Sequence, residues 1–226
     1  MKTEELEQIR QRIFNSQKVL IGIGGEWRQN PDPKQPERIT PRPEVAQGYL
    51  SLYELIKDKD YFMVTTVTDG EILKQPFDFQ RIVAPCGNVT WKQCENACTR
   101  DIWEDGEIKD GRCPYCGAAL VPNISSCENY IEEGYLLRWK AYTEWLAGTL
   151  NRSLTVLELG EGFLTPTVIR WPFEKTVFFN QKAWLYRVHH EFPQISEELK
   201  ERAKGIQADS VDWIRSLVRP MGKEQL

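Results

Sequence analysis

Lys18-Val19-Leu20-Ile21-Gly22-Ile23-Gly24 is a short apolar run closed by glycines, with Gly25 and Glu26 directly behind it. A run apolar on both faces and ending in glycine predicts a buried strand, parallel to its neighbours, that feeds a tight turn. Tyr61–Val67 and Leu154–Gly160 repeat the pattern, the first rich in β-branched and aromatic residues, the second again ending in glycine. Arg81–Ala84, Thr176–Phe179 and Ala183–Val188 are further candidate strands, and Gly205–Ala208 reads as a short edge strand.

Helical spacing fills the intervals. Thr3–Asn15 places Leu6, Ile9 and Ile13 on one face, with Glu4 and Glu5 in the first turn where the helix dipole favours them. Pro43–Lys57, Glu133–Leu150, Ser196–Lys204 and Asp209–Val218 are read as further helices, Ser196 and Asp209 serving as caps. Strands alternating with helices predict an α/β fold, a doubly wound parallel sheet covered on both faces. Arg28–Pro43 holds five prolines and reads as a long loop.

Within 226 residues, 29 Lys and Arg face 33 Asp and Glu, a net charge of −4 that gives no footprint for nucleic acid. Hydrophobic residues at 41% and charged residues at 27% exclude a disordered chain. No apolar run nears the roughly 18 residues of a membrane span. Met1–Gln11 is charged and amphipathic, without an apolar signal region. These features predict a soluble, cytoplasmic protein that engages neither membrane nor nucleic acid.

Residues 87–122 change character, with four cysteines, many polar residues and few aliphatics, and read as an inserted module. The spacing Cys94-x3-Cys98-x14-Cys113-x2-Cys116 gives two close pairs that can surround a tetrahedral ion, and Cys113-Pro-Tyr-Cys-Gly reads as a metal knuckle. Zinc in a structural role is the expectation, since four protein thiolates leave no open coordination position; two disulfides or four free thiols are the alternatives. Cys127 reads as a small buried hydrophobe. Cys86 follows a strand, where sheet ends present functional groups.

Gly22-x-Gly24-Gly25 and Gly160-Glu161-Gly162 stand at the carboxyl ends of two predicted strands. Each alone is compatible with an ordinary tight turn. Together they suggest a dinucleotide site, because such turns let backbone N–H groups approach a pyrophosphate. The chain has two histidines, His189 and His190, so a histidine base has no other source. Trp27 and Trp91 are candidates for lining the site or for packing.

The order of these parts resembles the sirtuin family, NAD-dependent protein deacylases and ADP-ribosyltransferases. It comprises a glycine turn after the first strand, Thr65-Thr66-Val67-Thr68-Asp69-Gly70 at the second strand end, and Gly87-Asn88-Val89 leading into a four-cysteine module. Leu159-Gly160-Glu161-Gly162 completes the order. Tyr61–Thr66, Leu157–Gly162, Thr165-Pro166 and Trp171-Pro172-Phe173 are most similar to the macrodomain-linked microbial branch, whose members act as protein ADP-ribosyltransferases. The resemblance implies a Rossmann-like NAD-binding domain, residues 1–86 and 123–226, interrupted by a zinc module at 87–122. It implies NAD and zinc as cofactors and a protein as substrate or partner. It implies cofactor contacts from Gly22, Gly24, Gly25, Glu26, Thr66, Asp69, Gly160, Gly162, His189 and Asp209, with Asp69 orienting a ribose or the nicotinamide amide. The chain departs from the pattern at two chemical positions: Val67 stands where the family carries Asn, and Cys86 where it carries the His base. Cys86 is therefore the candidate base or nucleophile. A non-catalytic NAD- or ADP-ribose-binding module, or a scaffold, is the alternative function.

Overall fold

The computed structural model describes residues 3–31 and 39–218. Its helices and strands run in the order α1 (Thr3–Asn15), β1 (Lys18–Ile23), β2 (Asn30–Pro31), β3 (Ile39–Thr40), α2 (Pro43–Ile56), β4 (Asp60–Thr65), β5 (Ile82–Val83), β6 (Gly87–Cys94), β7 (Trp103–Glu104), β8 (Leu120–Ile124), α3 (Glu133–Ala147), β9 (Leu154–Leu159), α4 (Arg170–Phe179), β10 (Ala183–Val188), β11 (Ala203–Ile206) and α5 (Ser210–Val218).

Six strands form one parallel sheet in the order β11-β10-β9-β1-β4-β5. Counted along the chain, that is the doubly wound order 3-2-1-4-5-6, and the order reverses between β1 and β9. The alternation of side chains explains why these strands read as unbroken apolar runs. Val19, Ile21 and Ile23 of β1 join the core under α1, α2 and α5, while Leu20 joins the core under α3 and α4. Tyr61 and Met63 of β4 divide from Phe62 and Val64 in the same way. Pro43 opens α2 at a position whose N–H has no partner to lose, and Val45, Tyr49, Leu52 and Ile56 bury one face of it. A separate antiparallel sheet, β7-β6-β8, carries the cysteine segment.

Several expectations are corrected. Thr176–Phe179 is not a strand but the end of α4. Its β-branched and aromatic content suits a strand, yet Ile169, Phe173 and Val177 recur at the helical interval and bury one face against the sheet. Ser196–Lys204 is not a helix; only Glu197–Leu199 makes a 3-10 turn. Pairing with β10 draws Ala203 onward into β11, which therefore ends at Ile206 and not at Ala208. The helix expected over Glu133–Leu150 ends at Ala147 and fully buries only Tyr142, so its amphipathic character is weak. In the proline-rich stretch, β2 and β3 pair antiparallel through Asn30–Thr40 and Pro31–Ile39, and residues 32–38 lie outside the described residues. Among the described residues, no helix is long and apolar enough to cross a membrane.

Candidate functional site

The four cysteines converge. β6 delivers Cys94, the turn behind it Cys98, and the Cys113–Gly117 knuckle delivers Cys113 and Cys116. The Cys94–Cys116 and Cys98–Cys113 sulfur pairs are 3.5 Å apart, and all four sulfurs lie within 4.8 Å of one another. Thiolates about 2.3 Å from a tetrahedral zinc stand roughly 3.8 Å from each other, so the cluster fits zinc. The N–H groups of Asn96 and Cys98 point at the Cys94 sulfur, as a thiolate requires.

A cavity of about 1050 Å³ opens at the carboxyl end of the parallel sheet, where the strand order reverses. Doubly wound folds take ligands in this place. The two glycine turns form its floor. At Gly24 a Cβ would fall 2.3 Å from the Glu161 Cα, so only glycine permits the contact between the turns. Gly160 adopts a φ of +70°, and a Cβ there would strike Glu26. Among the described residues, the N–H groups of Gly25, Glu161 and Gly162 donate to no protein acceptor. They supply the donors that an anion needs.

Gly25, Glu26, Thr66, Asp69, Cys86, Gly160, Gly162 and His189 all line the cavity. Gly22 does not: it sits within β1 against Ile169 and Phe173. Gly24 lies beneath the lining. Asp209 caps α5 by accepting the N–H groups of Val211 and Asp212, both at 2.9 Å. Val67 is buried in the core with Ile72 and does not reach the cavity. Trp27 packs on Tyr49 and donates to Ser210; Trp91 packs on Phe79 and Arg138. Cys127 is half-buried and bonds the Pro122 carbonyl. Sequence reading missed Phe163, Leu164, Ser125 and Ser126 of the lining, which carry no motif by which a site is found, and it gave Thr165 no role in the site.

Glu26 is already engaged. One carboxylate oxygen accepts the Ser210 N–H at 2.9 Å; the other accepts the His190 N–H at 2.8 Å and faces the His190 ring. Burial opposes its charge, but the bonds from His190 and Ser210 prevail and lower its pKa. Asp69 ties two loops together, accepting from Gln29 N–H at 2.8 Å and Glu71 N–H at 3.0 Å. His189 accepts the N–H groups of Glu191 and Phe192 at Nδ1, at 2.9 and 3.0 Å, which fixes its proton on Nε2. Burial lowers its pKa and keeps the ring neutral. Burial pushes the Cys86 thiol up, and the nearby Glu161 adds to the shift against Ser125 and Arg28. A buried protonated thiol is a poor base.

Glu161 is the group that sequence reading left without a role. It accepts the Thr66 hydroxyl at 2.7 Å, and Thr165 stands 3.4 Å from its other oxygen. Burial first, then the neighbouring Glu158, push its pKa up to about 7 against the pull of Thr66, Thr165 and Arg170.

No family model matches the chain. A protein ADP-ribosyltransferase of Staphylococcus aureus (strain Mu50 / ATCC 700699) is 22% identical over 193 residues, 77% of this chain and 61% of the relative. A probable bifunctional ADP-ribose hydrolase/ADP-ribosyltransferase of Fusarium oxysporum f. sp. cubense is 25% identical over 146 residues, 53% of this chain and 24% of the relative. The chain thus spans less than two thirds of either relative's length. Among solved structures, Sir2Tm bound to a propionylated peptide superposes with a TM-score of 0.61 at 14% identity, covering 94% of this chain and 97% of that one. A Sir2 homolog–NAD complex gives a TM-score of 0.60 at 12% identity, covering 94% and 92%. A mutant Sir2 homologue with ADP ribose gives 0.59 at 14%, covering 97% and 96%. Likeness over nearly the whole length of these structures shows that the chain has the Sir2 fold.

Proposed function

We propose that the cavity binds NAD or ADP-ribose and that the protein is of the protein ADP-ribosyltransferase type, acting on a protein side chain. The observation that carries this reading is the meeting of two glycine turns at the strand-order reversal, with three unengaged N–H groups on those turns. The names of both curated relatives and the ligands of the superposed structures agree with it. In this reading the pyrophosphate lies over Gly25 and Gly162, His189 Nε2–H donates toward a ribose, and Asp69 orients the nicotinamide end. Residues 1–86 and 123–226 form the nucleotide domain, and 87–122 the zinc module that supports it.

A second reading, ligand binding without turnover, is favoured by two particulars: Val67 is a core residue, and Cys86 holds its proton. Loss of a positioned polar group costs about 10²–10³ in rate, and loss of a general base about 10²–10⁴. Thermal shift and nicotinamide release, measured together on zinc-loaded protein with NAD and ADP-ribose, separate the two. Stabilisation with release supports the transferase; stabilisation without release supports the binding module. Absence of stabilisation by either nucleotide overturns both.

A further inference from the structure

Glu161 stands where the negative charge of such a ligand belongs. Its backbone packs on Gly24, and its side chain crosses the carboxyl end of β1, from the turn after β9 to the Thr66 hydroxyl after β4. The residue is 2% exposed and yet lines the cavity. The charged groups around it are few. Glu158 of β9 and Arg170 of α4 lie beneath it. Cys86 faces it across the cavity, whose lining also holds Arg28, Asp69, Glu26, Glu191, His189 and His190. Glu26 is bound to α5, and Arg170 spends itself on Glu158, the Glu161 carbonyl and the Phe192 and Gln194 carbonyls. Arg170 is thus committed, and Arg28, the arginine of the lining, acts on Cys86, while the groups that act on Glu161 are Glu158, Thr66, Thr165 and Arg170.

We propose that Glu161 sets the charge state the glycine cradle accepts: a pyrophosphate-bearing ligand enters together with one proton from solvent, which binds the Glu161 carboxyl and turns it from a repelling acceptor into a donor. The proposal rests on the nucleotide reading above and adds proton linkage to it. The carboxyl, with its pKa raised to about 7, is half protonated at neutral pH, so the proton is accessible. The anionic ligand raises that pKa further, and binding therefore weakens as pH rises above about 7.

Titration calorimetry with ADP-ribose on the zinc-loaded full chain, at pH 6 to 9 in pairs of buffers of different ionisation enthalpy, tests it. The expected result is uptake of close to one proton per nucleotide at pH 8, falling toward none at pH 6, with affinity dropping about tenfold per pH unit above 7. Glu161→Gln keeps both histidines and the shape of the side chain; its affinity is expected to change less than about twofold over pH 7 to 9. Binding by the unaltered protein without proton uptake at pH 8 overturns the proposal and leaves the nucleotide reading intact, and needs no variant. Retention of the full pH slope by Glu161→Gln overturns it likewise. Failure of both proteins to bind at any pH overturns the nucleotide reading and the proposal with it.

Discussion

Arg187 and Glu158 are register partners on β10 and β9, joined by two parallel bonds, Nε to Oε1 at 2.7 Å and Nη2 to Oε2 at 2.9 Å. Their side chains are 1% and 0% exposed. Buried Arg170 and Glu174, whose side chain is 25% exposed, complete a set of two positive and two negative groups. A pair this dry contributes little against an apolar replacement, but removing one partner strands the other. Arg187→Met is expected to cost about 3–5 kcal/mol in denaturant unfolding, and Arg187→Met with Glu158→Gln distinctly less than the sum of the single changes.

The cysteine cluster fits a single zinc. Native mass spectrometry is expected to find one zinc per chain, and Cys113→Ser to lose it. Chelation is expected to expose thiols to alkylation and to melt the small sheet, because Cys94 and Cys113 are the centre of its modest core. Far-ultraviolet signal from the six-stranded sheet survives if that sheet is held by its own apolar layers.

Glu26 couples the start of α5 to His190. Its depressed pKa means a contribution to stability that is present above the unfolded value, about 4.3, and lost as pH falls through the lower folded value. Glu26→Gln is expected to cost about 1 kcal/mol near pH 6 and progressively less below pH 4. His190 has the opposite sign: Glu26 raises its pKa, so the favourable part is full below about 6.5 and fades as pH rises through the folded value. Ring titration by NMR is expected to show the His190 pKa falling back in Glu26→Gln.

Cys86 is buried and its thiol pKa is raised. Its alkylation at pH 7.5 is expected to be at least about tenfold slower than that of free cysteine, read by peptide mapping. Cys86→Ala is expected to retain ADP-ribose binding. Rapid alkylation at this position, or loss of binding in the folded variant, contradicts the environment described.

Much of this was legible in the residue string. The Lys18, Tyr61 and Leu154 runs announce central strands because both of their faces meet helices, and the cysteine spacing announces a metal cluster. The site was less legible. Glu161 and Thr66 are 95 positions apart and meet only because β9, β1 and β4 are neighbours in the sheet. Glu26 reads as a cofactor contact, and only the position of Ser210 shows its charge spent on a helix terminus. Val67 reads as a replacement within the site, whereas its side chain has turned into the core. Thr176–Phe179 has the composition of a strand and the burial of a helix, and burial decides.

Arg170 reaches three carbonyls, those of Glu161, Phe192 and Gln194, from a single guanidinium. The rim segments after β9 and β10 therefore share one hub and are not interchangeable parts. A graft of either segment from a relative must bring its own oxygen to that hub, or abandon a buried donor. Because the acceptors are main-chain oxygens, side-chain changes that keep the course of either segment leave the hub intact, whereas a change of loop length or course strands a buried donor.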